Sequence, residues 1–305
     1  MSTPASRVLI VGSVAIDSVR TPLGEAEEAL GGAAVYSSVA ASFFAPVDLV
    51  GVVGTDFPAE HLEFIRSRGV NLDGLQVQEG ETFRWKGFYD FDVNQAHTLA
   101  THLNVFEKFR PSIPESYRDA EYVFLANIDP DLQLEVLDQV RKPKLTFCDT
   151  MNFWIEGKRD RLLEVLKRVN VVFMNDAEAR ELCGTFSLVK AGRQLLEMGP
   201  RAVIVKKGEH GAVLFTRDAH FSAPSYPLEE VRDPTGAGDT FAGGFIGYLA
   251  KTNDISEPNL RRAVVHGSVL ASYNVEDFSM GRMRTLTNSE IDERYREFRH
   301  IAFFE

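Results

Sequence analysis

Cysteine is scarce: the 305 residues contain two, Cys148 and Cys183. Neither belongs to a C-x-x-C pair or a Cys/His cluster. A disulfide scaffold and a structural zinc site are therefore not expected, and a reducing compartment is. Basic charge is in deficit, with 33 Lys and Arg against 44 Asp and Glu and a formal net charge of −11. No run of five basic residues offsets this, so nucleic acid and anionic membranes are poor partners, although a few local donors suffice for a small anion. Long apolar runs are missing as well. The longest uncharged stretch, Ala29 to Val47, is broken by Gly31, Gly32, Ser37, Ser38, Ser42 and Pro46, too polar to span a bilayer. The short polar opening Met1 to Arg7 leads into a strand without a cleavage-site pattern, so no signal peptide is read and a cytoplasmic location is expected.

Two nucleotide-binding motifs are also absent. No G-x-x-x-x-G-K-[ST] occurs, which excludes a P-loop enzyme. The first strand ends in G-S-V-A-I-D rather than G-x-G-x-x-G, which speaks against a Rossmann dinucleotide fold.

What remains is an ordinary globular composition, 44% hydrophobic and 25% charged, at a length that suits one large domain. Short apolar runs recur at Arg7 to Val14, Val47 to Val53, Tyr122 to Ala126, Lys144 to Cys148, Val169 to Met174 and Ala202 to Lys206. Between them lie helical patterns at Ala59 to Arg68, Asp131 to Val140, Arg159 to Val169 and Ala177 to Cys183. This alternation predicts an α/β fold with a mainly parallel sheet covered on both faces. Thr82 to Asp92 departs from it. Phe83, Trp85, Tyr89 and Phe91 alternate with Arg84, Lys86, Asp90 and Asp92, which predicts a half-exposed strand with an aromatic face. Val93 to Gln95 can turn the chain and Ala96 to Leu103 return it, either as a small projecting sheet or as an ordinary edge hairpin. Ser289 to Arg299 reads as a charged helix.

The most informative stretch is Asp233 to Ala250, D-P-T-G-A-G-D-T-F-A-G-G-F-I-G-Y-L-A. Gly236, Ala237 and Gly238 feed a helical run from Thr240, and such a small-residue turn presents free amides, with the helix dipole behind them, to a phosphate oxygen. Asp239 could simply cap that helix. It could equally take the proton of a hydroxyl attacking a phosphoryl group held by those amides.

At this motif the sequence resembles the ribokinase-like (PfkB-type) carbohydrate kinase family, and the likeness runs in order along nearly the whole chain. The resemblance implies a three-layer α/β/α sandwich over residues 1–305, with a small β-sheet lid from segments near 13–32 and 82–103. It implies ATP-dependent phosphorylation of a hydroxyl, with Asp239 as base and Gly236, Ala237 and Gly238 as the anion hole. Asp17 would grip acceptor hydroxyls, and the Gly31-Gly32 turn would approach the sugar. Asn175 and Glu178, in N-x-x-E, would help to hold the magnesium–phosphate assembly. Lys207, Gly208 and Gly211, in K-G-E-H-G, would lie beside the nucleotide with Thr235. Each match has a local alternative: a turn cap for Asp17, a loop for Gly31-Gly32, a capping box for Asn175 and Glu178, a hairpin turn for Gly208 and Gly211.

Tyr36 stands where many family members carry an acceptor-binding Asn, so the acceptor is open while phosphoryl transfer is not. A monovalent cation near Asp233 and Thr235 is also open, because Asn274 to Phe278 departs from the ribokinase pattern. The expected acceptor is a small sugar or polyol. A nucleoside, stacked on Phe83, Trp85, Tyr89 or Phe91, is the nearest rival. Inositol, and a non-catalytic sensor that kept the fold, are more distant ones. Lids in this family often pair between subunits, which implies a homodimer.

Overall fold

The computed structural model describes residues 5–302. Thirteen strands occur: β1 Val8–Val11, β2 Ala15–Thr21, β3 Gly24–Gly31, β4 Val47–Gly54, β5 Val70–Gln78, β6 Phe83–Phe88, β7 His97–His102, β8 Tyr122–Leu125, β9 Leu145–Cys148, β10 Val171–Asn175, β11 Ala202–Lys206, β12 Ala212–Thr216 and β13 His220–Ala223. Nine form one sheet in the order β13-β12-β11-β10-β9-β8-β1-β4-β5, and four form a second in the order β3-β2-β6-β7. In the large sheet every pairing from β11 to β5 is parallel, and β12 alone is reversed, pairing antiparallel with both β11 and β13.

The parallel strands are apolar without interruption because both faces are covered. Along β1, Val8 and Ile10 enter one core with the helices Ala33–Ser42, Ala237–Thr252 and Glu257–Asn274. Leu9 and Val11 enter the other, with the helices Pro130–Gln139, Arg159–Arg168, Asp176–Cys183 and Leu188–Glu197. The sheet is thus the middle layer of three. Among the described residues no helix is long and apolar enough to cross a membrane.

The first strand is shorter than the apolar run Arg7 to Val14 predicts. At Gly12 the chain leaves the large sheet, where any Cβ would come within 2.7 Å of the Ala126 Cβ. Ser13 then holds the start of the helix Ala33–Ser42, its hydroxyl accepting from the Ala33 amide and its carbonyl from the Ala34 amide, both at 3.0 Å. The chain continues as β2 in the small sheet, which projects from the carboxyl edge of the large one.

The aromatic face of Thr82 to Asp92 does not survive intact. The bulge opposite Lys86 and Gly87 lies on β7, where Leu99 is the extra residue, so β6 keeps its alternation but ends at Phe88. Phe83 stacks on Phe106 at 5.3 Å, and Phe91, in the turn, is 97% exposed. Phe83 and Trp85 keep their places on one face of β6, and Tyr89 lies just past its end, its amide donating to the Arg20 carbonyl at 2.8 Å.

The glycines of Ala237–Thr252 allow close helix packing. A Cβ on Gly243 would lie 2.2 Å from the Ser37 carbonyl oxygen, inside the helix Ala33–Ser42. Gly243→Ala should therefore force the two helices apart and cost about 1–3 kcal/mol. Denaturant unfolding checks this; a midpoint equal to wild type would refute the packing constraint.

Candidate active site

The candidate residues gather at the carboxyl edge of the large sheet, where parallel α/β sheets open their ligand crevices. Asp149 follows β9, Asn175 ends β10 and Lys206 ends β11. The helix Ala237–Thr252 points its first turn at the same edge.

That first turn is shaped by Asp233. Its Oδ1 accepts from the Thr235 amide and its Oδ2 from the Ser279 amide, each at 2.9 Å, so the loop before the helix is fixed by a buried carboxylate. Gly236 is the cap, in the left-handed region at φ 71°. Asp239 lies within the first turn and is not the cap. The Ala237 amide donates to the Pro234 carbonyl at 3.1 Å and so is not part of an open cradle. The amides of Gly236, Gly238 and Asp239 find no acceptor among the described residues. The half-buried Asp239 carboxylate has no hydrogen-bond partner either. Burial pushes its pKa up to about 7, with Asp149 adding to the rise and Lys206 opposing it.

Across the cleft Asp17 lies in the middle of β2, not at a turn. Its carboxylate takes the space over Gly31, where a Cβ would come within 1.9 Å of Oδ2. Gly31 is thus glycine because Asp17 is there, and Gly32 follows at φ 98°. Burial, then Asp233, raise Asp17 to about 7, while the Gly32 amide pulls it down. Tyr36 is 2% exposed. Its ring lies on Gly236, whose Cβ would come within 2.4 Å of it. Burial and the facing Asp17 hold its phenol proton firmly.

Asn175 and Glu178 form a capping box. Glu178 accepts from the Asn175 amide at 2.8 Å and from its Nδ2 at 2.7 Å, and the Glu178 amide donates back to Oδ1 at 2.8 Å. Burial, with Asp149 adding, holds Glu178 well above the usual carboxylate range against the pull of Lys206. Gly208 and Gly211, both at positive φ, close the tight turn between β11 and β12. The Lys207 amide donates to the Gly211 carbonyl at 2.8 Å, but its side chain is not brought to the cleft carboxylates. The lysine that is brought there is Lys206, whose Nζ donates to Asp149 Oδ2 at 2.7 Å. Sequence reasoning passed over Lys206 and Asp149; their positions at the carboxyl ends of the two parallel strands flanking β10 were the available signal.

The small sheet covers this cleft. Trp85 pairs with Asp17 across β2 and β6 and shares its face. Thr235 Oγ1 donates to the Tyr89 hydroxyl at 3.4 Å. At the tip, Asn94 Oδ1 lies 1.7 Å from the place of a Cβ on Gly208, so the lid touches the turn expected beside the nucleotide.

The sequence from residue 5 to 284 matches the pfkB family carbohydrate kinase. The chain belongs to that family. It is 32% identical over 257 residues to a cytidine kinase of Thermococcus kodakarensis, covering 82% of this chain and 91% of that one. It is 26% identical over 281 residues to an inositol 3-kinase of Arabidopsis thaliana, covering 90% and 75%. Its fold matches the crystal structure of Methanocaldococcus jannaschii nucleoside kinase, described as an archaeal member of the ribokinase family. There the TM-score is 0.77 and the identity 23%, with 97% of this chain and 100% of that one covered. This pfkB-family kinase therefore has the α/β architecture, the small second sheet and the phosphotransferase class that its motifs implied.

Gly31→Ala tests whether the Gly-Gly turn serves the Asp17 carboxylate. The added Cβ should displace that carboxylate by about an ångström or more and cut acceptor-dependent turnover about a hundredfold. Steady-state kinetics with the KM for ATP followed separately check it; wild-type turnover would show that Asp17 is not needed where it lies.

Proposed function

We propose that the chain transfers the γ-phosphoryl group of ATP to a hydroxyl of a nucleoside, with Asp239 as the general base. The observation that carries this reading is a carboxylate with no protein partner beside unbonded amides at a helix start, facing a second carboxylate without a side-chain partner, Asp17, under a lid. Asp17 orients the acceptor hydroxyls. The acceptor oxygen attacks the γ-phosphorus, the bond from that phosphorus to the ADP oxygen breaks, and the hydroxyl proton passes to Asp239. The amides of Gly236, Gly238 and Asp239 take the charge on the transferred group. A base near 7 suits neutral pH, because it is largely ionised yet still a useful proton acceptor. The nucleotide lies between the Gly208–Gly211 turn and the helix Ala237–Thr252. Free thiols at Cys148 and Cys183 fit work in the cytoplasm.

Magnesium fits this donor set. Asp149, Glu178 and Asp239 oppose one another around a single facing ammonium, and a divalent cation relieves that excess. Both Glu178 oxygens are engaged by Asn175, so Glu178 and Asn175 would hold the ion through its waters. The ion supplies neutralisation of the triphosphate. A monovalent cation fits less well. Both Asp233 oxygens accept backbone amides, and the Thr235 carbonyl accepts from Asn274 Nδ2 at 2.9 Å, so the reading contains none.

Trp85 supports the nucleoside over a free sugar. It is a partly exposed ring beside Asp17, which suits a base stacked next to the ribose hydroxyls. The cytidine and nucleoside kinases among its relatives support the same choice. A cyclic polyol is the second reading, supported by the inositol kinase relative and by Tyr36 in place of an amide. ADP release over a panel of cytidine, inosine, adenosine, inositol, ribose and fructose decides. The expected result is saturable turnover with a nucleoside and little with free sugars. Binding without turnover on every acceptor would make the protein a sensor.

Asp239→Asn should lower kcat about 10²–10⁴-fold with ATP still bound. In wild type kcat/KM should rise with pH through about 7 as Asp239 ionises. The same carboxyl binds its proton more tightly folded than unfolded. Its contribution to stability is therefore present at low pH and lost as pH rises from about 4 through about 7. Asp239→Asn should thus unfold at a higher denaturant concentration than wild type at pH 8 and not at pH 4. Near-wild-type turnover in this variant would remove Asp239 from the base role.

A further inference from the structure

We propose that Lys206, positioned by Asp149, is a catalytic residue whose ammonium meets the migrating phosphoryl group, a role that rests on the kinase reading above. Lys206 is the last residue of β11 and its side chain is only 17% exposed. Of its three protons, one is donated to Asp149, and no other acceptor is recorded for the ammonium. Asp149 is itself fixed, its Oδ1 accepting the Thr150 amide at 2.9 Å, so the pair has a defined direction.

That direction is toward the helix start. A Cβ on Gly238 would lie 2.9 Å from Nζ, so the ammonium sits beside the residue whose amide is open. Electrostatically the placement is unfavourable by itself. A helix start carries partial positive charge and disfavours a neighbouring cation. Asp149 bonds the ammonium from one side, and Asp239 and Glu178 act on it through their charge. An anion entering between Nζ and the open amides satisfies both, and the anion that the reaction brings there is the phosphoryl in transit.

The step remains balanced without a proton from Lys206. The acceptor oxygen–phosphorus bond forms, the phosphorus–ADP oxygen bond breaks, and the acceptor proton goes to Asp239. Lys206 keeps its three protons and neutralises charge. Lys207, its neighbour in K-K-G, has no comparable placement.

The test uses the full chain with magnesium present and compares wild type with Lys206→Met, Lys206→Arg and Asp149→Asn. Lys206→Met should lower kcat about 10²–10³-fold, the loss seen when one fixed donor to a developing charge is removed. Its affinity for ADP alone, measured by titration calorimetry, should stay within about threefold of wild type. Aluminium fluoride, a planar stand-in for the moving phosphoryl, should tighten ADP binding in wild type and fail to do so in Lys206→Met. Lys206→Arg should recover part of both effects, and Asp149→Asn should lower kcat with little change in KM. Because Lys206→Met leaves Asp149 buried and unpaired, the double variant Lys206→Met/Asp149→Asn carries the same measurements if the single one does not fold. Equal losses of affinity for ADP with and without aluminium fluoride would overturn the proposal, as would kcat within about threefold of wild type. A wild-type chain that turns over no acceptor would defeat the kinase reading and this inference together. Wild-type turnover untouched by Lys206→Met would defeat this inference alone.

Discussion

Carboxylates held away from water organise this molecule. Asp17, Asp149, Glu178 and Asp233 are nearly inaccessible, and Asp239 is half-buried beside them. Burying a carboxylate without full compensation raises its free energy unless a proton or a cation joins it. Two solutions are used side by side. Asp233 is satisfied by backbone amides and serves structure. Asp17 and Asp239 find no side-chain partner among the described residues and rise to about 7. The apolar strands of the large sheet supply the packing that holds this unfavourable cluster in place.

The glycines around the cleft follow from the same crowding. Two of them stand where a group of another element needs the room, Gly31 under the Asp17 carboxylate and Gly236 under the Tyr36 ring, and the Lys206 ammonium lies close beside Gly238. A Gly-rich turn at a helix start is usually explained by the approach of a phosphate. Here the chain's own side chains already demand it, and the open amides of Gly238 and Asp239 are an additional consequence. The small sheet adds a third layer of coupling, because Asn94 at its tip rests on Gly208 and Tyr89 reaches Thr235. The small sheet and the turn between β11 and β12 are thereby in contact within one chain.

Much of the architecture was legible because it is local. Uninterrupted apolar runs mark buried parallel strands, and apart from the first, which ends three residues early at Val11, Val47 to Val53, Ala202 to Lys206 and the rest lie within a residue or two of β4, β11 and their neighbours. The stretch beginning at Asp233 was legible as a small-residue turn feeding a helix. The aromatic face of Thr82 to Asp92 was legible only in part: Phe83 and Trp85 share a face of β6, but the pairing with β2 and β7 stops at Phe88, and Phe91 falls in the turn. The open amides were assigned to Gly236, Ala237 and Gly238 together, yet Ala237 is consumed by Pro234, a bond that depends on how tightly the turn closes.

The lysine of the cleft shows most directly where the two kinds of information part. In K-K-G both lysines are equivalent by composition, and nothing local says which one faces inward. Side-chain direction along a strand alternates, so one residue of register decides between the cleft and its exterior. The pairing of β11 with β10 sets that register, and it turns Lys206 toward Asp149 on the end of β9, fifty-seven residues away in sequence. From its own residues this chain determined the sheet-and-helix alternation, the kinase signature and the acid at Asp239. Which charges meet, and which amides stay open to receive another, was decided by tertiary structure, since Coulomb interaction and desolvation depend on distance in space and not on order along the chain.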